Sequence, residues 1–80
     1  MTHDYVEPAH GVVRRYDEEQ GWGVIDSAQT PGGCWFHFSS LEGDGYRSAQ
    51  EGDVVTFRFE TADQDGYGFR ALWVETPESA

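Results

Sequence analysis

Apolar and aromatic positions fall in five short runs, each bounded by glycine, proline or acidic turn residues. The runs cover residues 11–16, 22–26, 34–38, 54–60 and 69–74. None keeps the 3.6-residue period of an amphipathic helix; the pattern is that of short strands in an all-β fold. Alternation is clearest in 54–60, where Val55, Phe57 and Phe59 face one way and Thr56, Arg58 and Glu60 the other. In 69–74, Leu72 and Val74 are expected inward, with Trp73 partly exposed. Asp63-Gln64-Asp65-Gly66 reads as the loop before that last strand. Ser39-Ser40-Leu41-Glu42 has capping-box spacing, but Gly43 follows at once. A single turn, of 3₁₀ type, is therefore expected after the third strand. Five strands and one turn fit a small closed barrel, and closure removes exposed sheet edges. Residues 1–10 read as a flexible lead-in, 11–75 as the domain and 76–80 as a tail.

Alternation also sorts the second and third strands into two faces. Trp22, Val24 and Asp26 share one face of the second, with Gly23 and Ile25 on the other. Trp35 and His37 share a face of the third, opposite Cys34, Phe36 and Phe38. A carboxylate does not enter a small core unpaired, so the Asp26 face is the outer one. Ile25, Cys34 and Phe36 then form the core with Val55, Phe57 and Phe59. Trp22, Trp35 and His37 are left on the outer sheet face. Three flat rings there form a platform on which the bases of a single strand can stack, with little sequence preference. Each stacked base contributes ~1–3 kcal/mol, so three give roughly 3–9 kcal/mol gross. Micromolar affinity needs about 8 kcal/mol, so stacking alone sits at the border. The alternative is that the rings cover one another or lie under a loop. Gly21 and Gly23 flank Trp22 and are read as leaving room for a base.

Charge complicates this picture. The 80 residues carry 15 Asp and Glu against 5 basic residues, all arginine, for a net charge of -10. Phosphate neutralisation by Lys and Arg normally dominates nucleic-acid affinity, so the acidity argues against such binding. It motivates a rival reading, a protein-interaction module in which Asp17-Glu18-Glu19 faces a basic partner. An enzyme is not expected. Cys34 and His37 should lie on opposite faces of one strand, and His3 and His10 in the lead-in supply no metal set. No metal, cofactor or catalytic residue is assigned. With one cysteine no intrachain disulfide forms, which fits a cytoplasmic protein. No apolar run approaches the ~20 residues of a membrane span. Met1-Thr2-His3-Asp4 opens with no basic region and no apolar stretch, so a signal peptide is not expected, and a monomer is the default.

The motifs themselves carry a resemblance. Gly21-Trp22-Gly23-Val24-Ile25 resembles the first nucleic-acid motif of the cold-shock protein family, and Trp35-Phe36-His37-Phe38-Ser39 resembles the second. Gly11-Val12-Val13-Arg14-Arg15-Tyr16 is similar to the family's opening strand. Asp44-Gly45-Tyr46-Arg47-Ser48 resembles its following loop, and Glu51-Gly52-Asp53-Val54-Val55-Thr56-Phe57 its fourth strand. The match runs in order over roughly residues 11–74. It implies a five-stranded antiparallel Greek-key β-barrel, OB-fold-like, that binds single-stranded RNA or DNA as an RNA chaperone or regulator. Carried across by position, the implied binding residues are Arg14, Tyr16, Trp22, Trp35, His37, Phe38 and Tyr46. Three positions depart from the family: Arg15 stands for a stacking tryptophan, Gln20 for a lysine and Val24 for a surface phenylalanine. Arg15 can still stack on a base or reach a phosphate and is kept as a binding residue. The departures imply lowered or altered affinity.

Overall fold

A computed structural model describes residues 8–43 and 47–77. The five runs become β1 (Ala9–Asp17), β2 (Trp22–Asp26), β3 (Cys34–His37), β4 (Val54–Gln64) and β5 (Tyr67–Glu75), with a 3₁₀ turn at Phe38–Ser40. The sheet closes into a ring in the order β1-β2-β3-β5-β4. Neighbours are antiparallel, except that β3 meets β5 in parallel at Trp35 and Arg70. This is the all-β closed sheet expected of the alternating runs, and it has the OB-like form that the resemblance implies. Among the described residues no helix is long and apolar enough to cross a membrane.

Inside the ring, Val13, Ile25, Cys34, Phe36, Leu41, Val55, Phe57 and Val74 belong to one buried cluster, with Tyr16, Phe59 and Phe69 packed on it. Gly23 makes room for its largest members. It lies between Tyr16 on β1 and Phe36 on β3. A Cβ there would come within 2.4 Å of the Arg15 carbonyl oxygen and 2.8 Å of the Phe36 ring. Across the gap the Tyr16 and Phe36 rings meet, with centroids 5.7 Å apart and planes 10° from parallel. Gly21, at φ +79°, plays the same part for Phe38, whose Cδ1 would lie 2.9 Å from an added Cβ. The space beside Gly23 is thus filled by the Phe36 ring and, contrary to expectation, offers no approach for a base, whereas Gly21 and Phe38 line an open cleft together.

Other side chains escape simple alternation for local backbone reasons. β3 ends at His37, so Phe38 opens the 3₁₀ turn and is 42% exposed instead of following Phe36 inward. His37, not Ser39, caps that turn: its Nδ1 accepts from the Ser39 backbone N–H at 3.2 Å. The Ser39 hydroxyl turns back to the same nitrogen at 2.9 Å, so no capping box forms. In β5, Trp73 pairs with Arg58 and Ala71 with Phe59, which makes Leu72 the extra residue of a β-bulge. The bulge resets the alternation. Ala71 and Val74 both point inward, and Leu72 is 54% exposed, not inward as expected.

The connection from β4 to β5 is shorter than the expected loop. Asp65 and Gly66 have φ of 53° and 88°, the left-handed pair of a two-residue hairpin turn. Gln64 pairs with Tyr67 directly across it. Asp63 and Gln64 therefore belong to β4, and Tyr67 begins β5.

Two outcomes test this packing. Gly23→Ala should destabilise the fold by about 1–3 kcal/mol through overpacking; a urea unfolding midpoint equal to that of the parent would contradict it. Cys34 is fully buried, and burial pushes its thiol up to about 12. A thiol reagent at pH 8 should label Cys34 in denaturant but not in the native protein, a difference read by mass spectrometry.

Candidate nucleic-acid interface

Strand register builds the outer face. One row of cross-strand partners is Asp17, Trp22 and His37. The next crosses all five strands as Arg15, Val24, Trp35, Arg70 and Glu60. The rings of Trp22 and Trp35 lie 6.1 Å apart and 21° from parallel. Trp35 and His37 repeat this at 6.1 Å and 22°. Phe38 extends the strip from the 3₁₀ turn, 4.6 Å from His37 and tilted by 42°. Trp22, Trp35 and His37 are half-buried and Phe38 is exposed, so the strip keeps open aromatic surface.

Hydrogen bonds hold individual rings. The Trp22 indole N–H donates to Gln20 Oε1 at 3.0 Å, so the residue in the expected lysine position fixes the orientation of this ring. The Ser39 backbone N–H can only donate. His37 Nδ1 therefore accepts, and the neutral ring carries its proton on Nε2. Trp35 is held by packing: its Nε1–H is buried without a hydrogen-bond partner among the described residues.

Val24 corrects the expectation of an exposed residue. It belongs to the outer face, outside the core cluster, yet has no exposed surface. Its cross-strand partners Arg15 and Trp35 flank it. The β2–β3 loop lies against its side chain, where a Cβ on Gly33 would sit 2.9 Å from Val24 Cγ1.

The arginines divide by partner. Val13 pairs with Ile25 and Arg15 with Val24, so Arg14 is the extra residue of a bulge in β1. Its Nε and Nη2 donate to Asp26 Oδ1 at 2.8 and 2.6 Å, and Nη2 reaches the Gly32 carbonyl at 3.3 Å. The hydrogen bond from Arg14 holds the Asp26 carboxyl below the usual carboxylate range. The Arg15 guanidinium carbon lies 5.2 Å from the Trp22 ring centroid, and its Nη2 donates to the Tyr67 hydroxyl at 3.1 Å. Sequence reasoning passed over Tyr67; the Asp-Gly pair at 65–66 was the signal that places it at the head of a strand.

Tyr16 stands at one end of this face, between two clefts. One, about 310 Å³, is lined by Tyr16, Phe38, Gly21, Glu18, Glu19, Gln20 and Arg47. The other, about 420 Å³, is lined by Tyr16, Arg15, Trp22, Asp17, Glu18 and Glu51. Burial, and then the charges of Glu18 and Asp17, push the Tyr16 hydroxyl up. Carboxylates therefore reach the edge of the aromatic strip. Arg47 donates to the Leu41 carbonyl at 3.3 Å. Tyr46 lies outside the described residues. Among the described residues no His, Cys, Asp or Glu groups of three or more are placed to hold a metal.

The sequence profile of the 'Cold-shock' DNA-binding domain matches residues 9–75, a span that contains all five strands. This chain belongs to the cold-shock domain family. Similar proteins include cold shock protein CspD of Bacillus subtilis, 40% identical over 50 residues that cover 60% of this chain and 71% of that one. ScoF of Streptomyces coelicolor is 43% identical over 51 residues, 61% of this chain and 73% of that one. The major cold shock protein of Micrococcus luteus is 36% identical over 55 residues, 69% and 79% of the two chains. The three positions expected to depart from the family all lie at the strip: Arg15 over the Trp22 ring, Gln20 accepting from the Trp22 indole and Val24 paired across the strands with Trp35.

The Arg14–Asp26 pair is exposed, so Asp26→Asn should cost under about 1 kcal/mol at neutral pH. Because the folded carboxyl titrates below its unfolded value, its contribution is complete above the usual carboxylate range. It is lost as pH falls through the folded value. Melting temperatures of parent and variant should therefore converge in acid, and a gap that persists there would contradict the assignment.

Proposed function

We propose that this cold-shock domain binds single-stranded RNA or DNA by stacking bases on Trp22, Trp35 and His37, with Phe38 extending the strip. Arg14, Arg15, Tyr16 and Tyr46 complete the binding set, and the protein acts as an RNA chaperone or regulator of gene expression. It works as a cytoplasmic monomer, without cofactor or catalytic step. The observation that carries this reading is the near-parallel row of partly open rings on the outer face of β2 and β3. The family description names DNA, and the similar proteins are named cold shock proteins. Stacking does not need a basic surface, because every base has a π-face. Affinity is weakened by the carboxylates of Asp17, Glu18 and Glu51 beside Trp22 and by the pairing of Arg14 with Asp26. Those same carboxylates favour the rival reading, a protein partner with basic side chains on this face.

Titration with a short T-rich single strand at low salt, followed by tryptophan fluorescence, tests the proposal against a duplex of the same sequence. Saturable quenching by the single strand alone is expected, and Trp22→Ala or Trp35→Ala should each weaken it by about 1–3 kcal/mol. No quenching of the folded protein up to high micromolar strand would overturn the reading and leave the protein partner.

A further inference from the structure

Four arginines lie on or beside the aromatic strip; carboxylates occupy two of them, and Arg47, in the cleft beside Phe38, donates to the Leu41 carbonyl. Arg14 is paired with Asp26. Arg70, the cross-strand neighbour of Trp35, is paired with Glu60, its Nε donating to Oε2 at 3.0 Å. Arg15 differs: among the described residues it donates to no carboxylate, only to the Tyr67 hydroxyl. A neutral phenol accepts a hydrogen bond without cancelling the guanidinium charge. Arg15 is also exposed and lies over Trp22.

We propose that Tyr67 is a positioning residue of the nucleic-acid face, holding the Arg15 guanidinium over Trp22 so that it meets the phosphate of a nucleotide stacked on the Trp22–Trp35 strip. This rests on the nucleic-acid reading above and adds a residue and a role to it. Arginine presents planar, directed donors that suit phosphate, and two contacts restrict the guanidinium before the ligand arrives. Trp22 supplies one contact through its ring face. Tyr67 supplies the other, and two features of the backbone place it. The Asp65-Gly66 turn sets Tyr67 opposite Gln64 at the start of β5. Gly33, at φ +114°, lets the Tyr67 ring lie close against the β2–β3 loop, where an added Cβ would sit 3.3 Å from Tyr67 Cδ1. Removing the hydroxyl alone should leave the fold intact and free the guanidinium.

The test is a double-mutant cycle on the full chain with a T-rich single-stranded DNA hexamer, followed by tryptophan fluorescence over a salt series. Tyr67→Phe should bind roughly three- to tenfold more weakly, with an unchanged melting temperature. Arg15→Gln should weaken binding and flatten the slope of log affinity against log salt by about 0.7, the share of one phosphate contact on a single strand. Tyr67→Phe added to Arg15→Gln should then have no further effect. Equal affinity of Tyr67→Phe and the parent would overturn the proposal. So would a Tyr67→Phe effect that persists in full without Arg15, since Tyr67 would then act through Arg14, which its hydroxyl also meets, or on the strand directly. Absence of binding by the unaltered protein would overturn the nucleic-acid reading, and this inference with it.

Discussion

Three strands meet at Gly23, and the absence of a side chain there determines which way the neighbouring residues point. The Phe36 ring occupies the volume that a side chain at 23 would need, and the Tyr16 ring meets it across the gap. With Phe36 inside, the two-residue period of a strand puts Cys34 inside and Trp35 and His37 outside. The register of β2 against β3 then places Ile25 inward and Trp22 outward. A slip of one residue would reverse every side chain, driving Asp26 and His37 into the core and Ile25 and Phe36 into water. Core and aromatic strip are two faces of one choice of register. The strip therefore costs no separate structural device beyond the glycine that admits Phe36.

Much of this was legible in the sequence because it depends on alternation and on the cost of burying a carboxylate. The five strands, the inward set of Ile25, Cys34, Phe36, Val55 and Phe57, and the outward set of Trp22, Trp35 and His37 all follow from those two arguments. What was not legible depends on single backbone events. Bulges at Arg14 and Leu72 break the period without leaving a compositional mark, so Leu72 lies outward against expectation. The end of β3 at His37 frees Phe38 to join the strip, although alternation alone sends it inward. Val24 is fully buried with the β2–β3 loop at Gly33 against its side chain, an approach that no single-strand pattern contains. The Asp65-Gly66 pair was legible as a turn, but its consequence for Tyr67 required the two-residue geometry.

The chain carries a net charge of -10, and the structure brings part of that charge close to the rings. Asp17 is the cross-strand partner of Trp22, and Glu18 and Glu51 line the adjoining cleft. Asp26 and Glu60 are paired with two arginines of the same face. In this account affinity comes mainly from π-stacking, and long-range attraction contributes little. Exposed charges beyond the strip are screened over ~8 Å at physiological salt, so their effect is weaker than the net charge implies. A ligand of stacked bases with few contacted phosphates suits such a surface better than a long polyanion.

The central claim is that bases lie on the rings of β2 and β3, and the three indole N–H signals of the protein report on it directly. Trp22 and Trp35 belong to the strip, while Trp73 packs with Arg58 on β4 and β5. In a ¹⁵N-resolved NMR titration with a T-rich single strand, the account predicts that the Trp22 and Trp35 indole peaks shift together and saturably while Trp73 stays in place. Shifts confined to Trp73, or none at all on a folded protein, would contradict it.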